Sequence, residues 1–419
     1  MSVSPRYSLI AGLALLIGFN LRPIIAAIGP LLDILQQDLG LSSTQASLLT
    51  TLPVFLMGIC ALGGPWLQRW VGEVRGIALG MLLITLASAA RFVIDSGSWL
   101  IVSAAVAGTG IAMIQALMPA WLKRNHPERA GSLMGLFTTG IMGGAVIAAA
   151  SAAPAAAIGG WRLVLGVALI PALLALIAWI RYAGGRQRTA DRVILPYRNT
   201  RAWYLLAFFG IGTSAYTLAL AWLPAYYIDL GVTSVHAGYL LGALSAMEVV
   251  AGLAVSTLVH RFPDRRPLLT IVILFVLAGL GCLILAPMSL MLPAIVLLGL
   301  GIGALFPLSL IVTLDHADSP AEAGALLAFV QGGGYAIAAL MPLLAGVIRD
   351  TMASLQWAWI CMAVGALVVL AMSWRLGKTE DEAEADAVAS CASNHRLAKK
   401  KYHRLATSMA VDRSLRDIY

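Results

Sequence analysis

The strongest constraint on this chain is its rhythm of apolar runs, each close to charge-free and separated by short polar connections. An α-helix rises 1.5 Å per residue and a bilayer's hydrocarbon core is about 30 Å thick, so one crossing needs roughly 20 apolar residues. Runs that meet this requirement occupy residues 8–34, 45–66, 76–94, 98–122, 130–152 and 161–181. After a polar stretch, six more follow at 201–228, 236–259, 267–286, 290–314, 321–347 and 354–375. The chain is 60% hydrophobic and only 11% charged, whereas a soluble domain carries roughly 25% charged residues. So few charges cannot coat a water-soluble body of this size. In lipid every backbone polar group must be satisfied internally, which a helix does within one segment. The expectation is an all-α polytopic membrane protein with twelve transmembrane helices.

The charges test that count. The net charge of +8 could suggest a nucleic-acid partner, but the basic residues lie in alternate connections and in the tail. With the N-terminus inside, all 28 Lys and Arg except Arg22, Arg91, Arg162 and Arg349 fall in segments expected to be cytoplasmic. This is the positive-inside pattern of a multi-pass inner-membrane protein with both termini cytoplasmic, and no nucleic-acid partner is expected. One inner connection departs from it: Asp315, His316, Asp318 and Glu322 contain no Lys or Arg, and acidic residues have little orienting power. Arg6 precedes the first apolar run as in a signal peptide, but that run is too long for one and is expected to be a retained helix.

Metal, cofactor and enzymatic chemistry find no foothold. Cys60, Cys282 and Cys361 lie in apolar runs and Cys391 in the tail, with no metal-ligand spacing among them. His126, His236, His260, His316, His395 and His403 fall at helix ends, in connections or in the tail, and none pairs with a deep carboxylate. The glycine-rich runs sit inside apolar helices with no Lys-Ser/Thr after them, so no phosphate loop is implied. No cofactor or metal is expected, and an intramembrane enzyme or a simple channel is a poor fit.

The two sets of six runs repeat. Asp38-Leu39-Gly40-Leu41-Ser42-Ser43 matches Asp229-Leu230-Gly231-Val232-Thr233-Ser234 at an offset of 191 residues. Gln68-Arg69-Trp70 then answers His260-Arg261-Phe262, Gly108-Thr109-Gly110-Ile111 answers Gly299-Leu300-Gly301-Ile302, and Ala130-Gly131 answers Ala323-Gly324. A repeat of an even number of crossings keeps its orientation, so the halves are parallel bundles about an axis normal to the membrane. The expected organisation is an N-terminal six-helix bundle (1–181), a cytoplasmic linker (182–200), a C-terminal six-helix bundle (201–375) and a cytoplasmic tail (376–419). The tail is acidic first and basic later, with too few large apolar residues for a core, and is expected to be disordered or associated with the membrane surface.

Two parallel six-helix bundles joined by a basic linker resemble the major facilitator superfamily. The stretch from Gly64 through Gln68-Arg69 and Gly72 to Arg75 is similar to that superfamily's loop motif G-x-x-x-D-R-x-G-R-R, and the resemblance implies a gating loop at Arg69, Gly72 and Arg75. Gln68 stands where the motif has an acid, and the spacing to Gly72 is longer by one. Gly18-Phe19-Asn20-Leu21-Arg22-Pro23 with Gly29-Pro30-Leu31-Leu32, Leu48-Leu49-Thr50-Thr51-Leu52-Pro53, and Ile114-Gln115-Ala116-Leu117-Met118-Pro119 resemble the cyanate/2-nitroimidazole transporter family. The resemblance implies secondary transport by alternating access, a central cavity lined by the first, fourth, seventh and tenth helices, and a small solute as substrate.

Arg22 is the most informative residue. An arginine near the middle of a crossing costs on the order of 2.5–3.5 kcal/mol or more to insert, and Pro23 after it weakens the helix. A planar guanidinium at mid-depth suits a small anion; a structural ion pair is the plainer alternative. Glu248 is the one acid so deep in the second half, and is expected to serve as a proton-coupling carboxyl or as counter-charge to Arg22. Asn20, Gln115, Tyr216 and Gln331 fall near mid-depth, able to hydrogen-bond a solute or to bridge helices. Trp222 and Tyr335 are weaker candidates. Arg91, at the outer end of the third crossing, is expected to snorkel to the interface as an anchor, and His316 to be solvated or capping. Gly140, Gly143 and Gly144, with Gly332, Gly333 and Gly334, permit close helix contact. The expected substrate is a small cyanate-like anion moved by a monomer in the lipid bilayer, with a proton as coupling ion; export of a nitroimidazole-like or other drug-like molecule is the alternative.

Overall fold

The structure is a computed structural model that describes residues 5–183, 195–262, 264–317 and 319–376; most of the expected linker and the tail beyond 376 lie outside the described residues. Among the described residues all regular structure is helical. The first crossing is broken twice, into α1 (Pro5–Phe19), α2 (Pro23–Ala26) and α3 (Ile28–Leu39). At the first break the N–H groups of Asn20 and Leu21 close back on the carbonyls of Ile17 and Gly18, three residues earlier. Pro23 supplies no N–H of its own to carry the ladder onward. The weakening read from Arg22-Pro23 is thus a real interruption.

The chain continues through α4 (Ser43–Leu62), α5 (Gly64–Trp70), α6 (Glu73–Ala90), α7 (Gly97–Asn125), α8 (Ala130–Val167) and α9 (Leu169–Tyr182). The second set comprises α10 (Thr200–Asp229), α11 (Ser234–Leu258), α12 (Arg266–Leu285), α13 (Met291–Asp315), α14 (Pro320–Met352) and α15 (Gln356–Ser373). Eleven continuous stretches among the described residues are long and apolar enough to cross a membrane, and one of them, Pro127–Tyr182, runs for 56 residues. It turns back at Gly160, whose φ of 73° lies in the left-handed region. Beyond the turn Arg162 donates to Asp95 past the end of α6, and the Trp179 indole donates to the Val74 carbonyl at the start of α6. Two crossings are therefore joined there, and the total is twelve.

The repeat is visible in the caps. Gly40 and Gly231 both take positive φ, 63° and 93°, and Ser42 and Thr233 then cap α4 and α11 by accepting from Gln45 and His236. The face where α1 begins is the basic one: Arg69, Arg75, Lys123, Arg124, Arg181, Arg201, Arg261, Arg265 and Arg266 all stand at helix ends there. At equivalent places on this face the halves carry one bridge with its charges exchanged, Glu73–Arg124 at 3.2 Å and Arg265–Asp315 at 3.0 Å. The second bridge neutralises an acid in the connection that departs from the positive-inside pattern.

Packing between the two sets runs along two seams, α4 against α14 and α8 against α11. Small residues let them close: a Cβ on Gly58 would lie 2.6 Å from the Gly332 carbonyl, and one on Gly242 would lie 3.0 Å from Ala150. Gly140 and Gly144 likewise admit α1 against α8, and Gly332, Gly333 and Gly334 admit Leu62, Leu206 and Phe209, whereas Gly143 faces open space.

Candidate functional site

A cavity of about 610 Å³ lies between the two sets, and both mid-depth charges line it. Arg22 reaches it from the break before α2, and Glu248 from the middle of α11. Each is only 6% exposed. The Arg22 guanidinium carbon sits 5.2 Å from the centre of the Tyr216 ring on α10, a cation–π contact worth roughly 0.5–2 kcal/mol. Arg22 Nε and Glu248 Oε1 have no hydrogen-bond partner, and no ion pair joins the two residues. A buried polar atom without a hydrogen bond is costly, so two walls of the cavity carry unmet hydrogen-bonding capacity. Glu248 is held close to α13 because Gly303 has no side chain: a Cβ there would lie 2.3 Å from the Glu248 Cα.

The remaining walls are largely apolar and aromatic. Tyr335 on α14 and Phe209 on α10 stand edge to face at 5.5 Å, and Phe306 packs on Phe209 at 5.6 Å. From mid-depth the cavity runs toward the basic face between the first half of α8, at Ser132 to Met142, and the last half of α11, at Glu248 to Ser256.

The opposite face is closed by a latch. Arg349, on α14, donates to Asp33 Oδ1 at 3.1 Å and Gln36 Oε1 at 3.1 Å on α3, and to Asp229 Oδ1 at 2.7 Å on α10. Its neighbour Asp350 accepts from the Ser43 N–H at 2.8 Å, the Thr44 N–H at 2.8 Å and the Thr44 hydroxyl at 2.7 Å, at the start of α4. A carboxylate at a helix N-terminus satisfies free N–H groups and meets the positive end of the helix dipole. The molecule is thus bonded across at the latch face, while its central cavity runs toward the basic face.

Residues 9–339 match the model of the Major Facilitator Superfamily. The chain belongs to that superfamily. It is 37% identical to the Cyanate transport protein CynX of Escherichia coli over 364 residues, covering 85% of this chain and 94% of that one. It is 31% identical to the 2-nitroimidazole transporter of the same organism over 378 residues, covering 88% of this chain and 95% of that one. The fold is that of the crystal structure of a D-xylose-proton symporter, with a TM-score of 0.72 at 16% identity, covering 87% of this chain and 97% of the symporter. This protein is a multi-pass membrane transporter of the secondary class.

The cavity of this transporter gathers only part of the expected set. Arg22, Tyr216 and Glu248 line it, with Tyr335 among the weaker candidates. Gln115 and Gln331 are half-buried on α7 and α14 and lie off its wall. Asn20 points away from it: its amide donates to the carbonyls of Leu16, at 2.8 Å, and Pro171, at 3.2 Å, tying the broken first crossing to α9. Trp222 is fully buried and donates to the Pro342 carbonyl at 2.9 Å, a packing role. The expected lining by the fourth helix is corrected. The first, seventh and tenth crossings line it, through Arg22, α10 and α13, but α7 contributes no residue, because it is held away between α4 and α6; α4, α8, α11 and α14 complete the walls.

The residues of the expected gating loop lie at the turn from α5 to α6. Arg69 and Arg75 are exposed, and Gly72 opens α6 with a φ of 79°. The buried acid of this loop is Glu73, which accepts from Gln68 and pairs with Arg124. Arg91 is also corrected: it is fully buried and cannot anchor by snorkelling, because its side chain turns inward to donate to Ser103. Of the latch residues Asp33, Gln36, Asp229, Arg349 and Asp350, two carry a signal in the sequence: Asp229 as the start of the repeat, and Arg349 as a basic residue on the face that the positive-inside pattern leaves without them.

Proposed function

We propose that this transporter moves a small monovalent anion of cyanate's kind across a bacterial-type inner membrane. The basic face is cytoplasmic, and the two six-helix bundles rock about the central cavity. Arg22 is the anion contact and Tyr216 buttresses it through its ring face. Glu248 is the coupling carboxyl, its proton traded against the charge on Arg22 or on the bound anion. A single observation carries this reading: Arg22, whose buried Nε has no hydrogen-bond partner, stands in one cavity with Glu248, whose buried Oε1 has none either. Supporting it is the 37% identity to a cyanate transport protein over nearly the whole chain.

A second reading, export of a nitroimidazole-like heterocycle, draws on the size and lining of the cavity. A triatomic anion fills about 60 Å³, the share of two waters, and leaves most of the 610 Å³ to solvent. The aromatic wall of Phe209, Phe306 and Tyr335 suits a flat ring.

The test is uptake of labelled cyanate into proteoliposomes, with and without an imposed proton gradient, for the wild type and Arg22→Ala. The expected result is gradient-dependent uptake by the wild type alone. Normal uptake by a folded Arg22→Ala protein would remove Arg22 from the substrate site. Absence of cyanate uptake with nitroimidazole transport intact selects the second reading.

A further inference from the structure

We propose that the first set of crossings carries a second site, built around Arg91, for the phosphate of an anionic membrane lipid in the leaflet opposite the basic face. Arg91 is 0% exposed, its Nε donates to Ser103 Oγ at 3.2 Å, and its two terminal nitrogens have no hydrogen-bond partner. It borders a cavity of about 360 Å³ whose other polar lining residues are Asn20 and Ser151. No acid lines that cavity, and neither the Asn20 amide oxygen nor the Ser151 hydroxyl accepts from the guanidinium, so its two terminal nitrogens meet no acceptor in the protein. A planar cation with two free donor nitrogens matches two oxygens of one phosphate.

Depth and access select the lipid. Arg91 caps the outer end of α6, which begins on the basic face and is 18 residues long. At 1.5 Å per residue it stands about 27 Å from the basic-face end, where a hydrocarbon core of about 30 Å gives way to headgroups. The cavity walls include Ile147, Val167 and Ile170, all exposed on the outer surface of α8 and α9, so its mouth opens sideways to the bilayer. A ligand entering there carries an anionic head to Arg91 and leaves its apolar body among aliphatic side chains.

The site is distinct from the transport cavity: no residue lines both. The broken segment before α2 separates them, with Asn20 on the lipid side and Arg22 on the substrate side.

The experiment is titration of the delipidated full-length protein in detergent, read by native mass spectrometry and by thermal unfolding. The probes are phosphatidylglycerol, phosphatidylcholine and inorganic phosphate. The proteins are the wild type, Arg91→Met, and Ala148→Phe, which fills the cavity while keeping Arg91. The wild type is expected to retain and be stabilised by phosphatidylglycerol in preference to phosphatidylcholine, and both variants to bind it at least about tenfold more weakly. Should Arg91→Met fail to fold, Ala148→Phe and the wild-type lipid preference decide the matter. Equal binding of the two lipids, or undiminished binding by Ala148→Phe, overturns the proposal. Stabilisation by inorganic phosphate without phosphatidylglycerol overturns it in favour of a free oxyanion.

Discussion

Replacing Arg349 and Asp350 together by alanine is expected to release the face that they close. In the closed state Arg349 bonds Asp33 and Gln36 of α3, and Asp350 bonds the first turn of α4; these contacts join the second set of crossings to the first. The bond from Arg349 to Asp229 stays within the second set and survives opening, so it does not count. The side chains of Arg349 and Asp33 are 16% and 20% exposed, so their attraction is partly screened and is set at roughly 0.5–1 kcal/mol. The bond from the Arg349 guanidinium to the Gln36 amide oxygen, half-buried and partly open to water, adds about 0.5 kcal/mol, and the carboxylate on the α4 N-terminus about 0.5–1 kcal/mol. The sum, about 1.5–2.5 kcal/mol, corresponds to a shift of roughly 10- to 70-fold in the ratio of closed to open molecules. Spin labels at Gln37→Cys on α3 and Thr351→Cys on α14, on a background lacking the native cysteines, report this ratio as a distance distribution. A longer-distance population should grow in the double variant. An unchanged distribution would show that the latch bonds exchange for water at no net cost, and the reasoning fails.

Glu248→Gln keeps the shape of the side chain and removes its titration; proteoliposomes are expected to lose gradient-driven accumulation while retaining counterflow exchange, and loss of both would assign Glu248 to binding. Tyr216→Phe keeps the ring face under Arg22 and should leave substrate affinity within about twofold, whereas Tyr216→Ala should weaken it roughly 3- to 30-fold. Gly303→Val drives a side chain into the α11 backbone, and overpacking of this kind costs typically 1–3 kcal/mol, read as a lowered unfolding temperature and yield. A Gly303→Val protein as stable as wild type would show that α11 and α13 are free to part.

The twelve crossings were legible because each obeys one physical rule, a run of apolar residues as long as the hydrocarbon is thick. The break in the first crossing was legible from Pro23, whose missing N–H acts locally. Arg22 and Glu248 were legible for the opposite reason: each violates the apolar rule where violation is expensive. For Asn20, Gln115 and Gln331 the sequence offers depth alone, and depth does not say which way a side chain faces around a helix. Asn20 turns to α9, and the two glutamines turn off the cavity wall. Arg91 misled for a related reason. A helix-end arginine ordinarily snorkels, and only packing by elements remote in sequence encloses it. The latch spans more than 300 residues, from Asp33 to Arg349, and an Asp or Arg at a helix end carries no sign of its partner.

The first crossing ties these features together. α1 is packed hard on α8, where Gly18, Gly140 and Gly144 bring the two backbones into contact, so this part cannot move without α8. α3, beyond the two breaks, is bonded to the second set through Asp33 and Gln36. Between them lie Asn20 and Arg22, on opposite sides of a segment with little helical bonding to hold it straight. If the sets rock apart at the latch, α1 follows the first set, α3 loses its hold on the second, and the strain between them falls on the broken segment. Arg22 is the charged side chain on that segment, and on the proposed function its place in the cavity changes with the latch. An anion that prefers Arg22 in one setting must then favour one state of the latch, and by reciprocity the latch must alter the affinity for the anion by the same factor. That linkage is what separates a transporter from a protein that merely binds, and here it requires only a helix broken beside its charge.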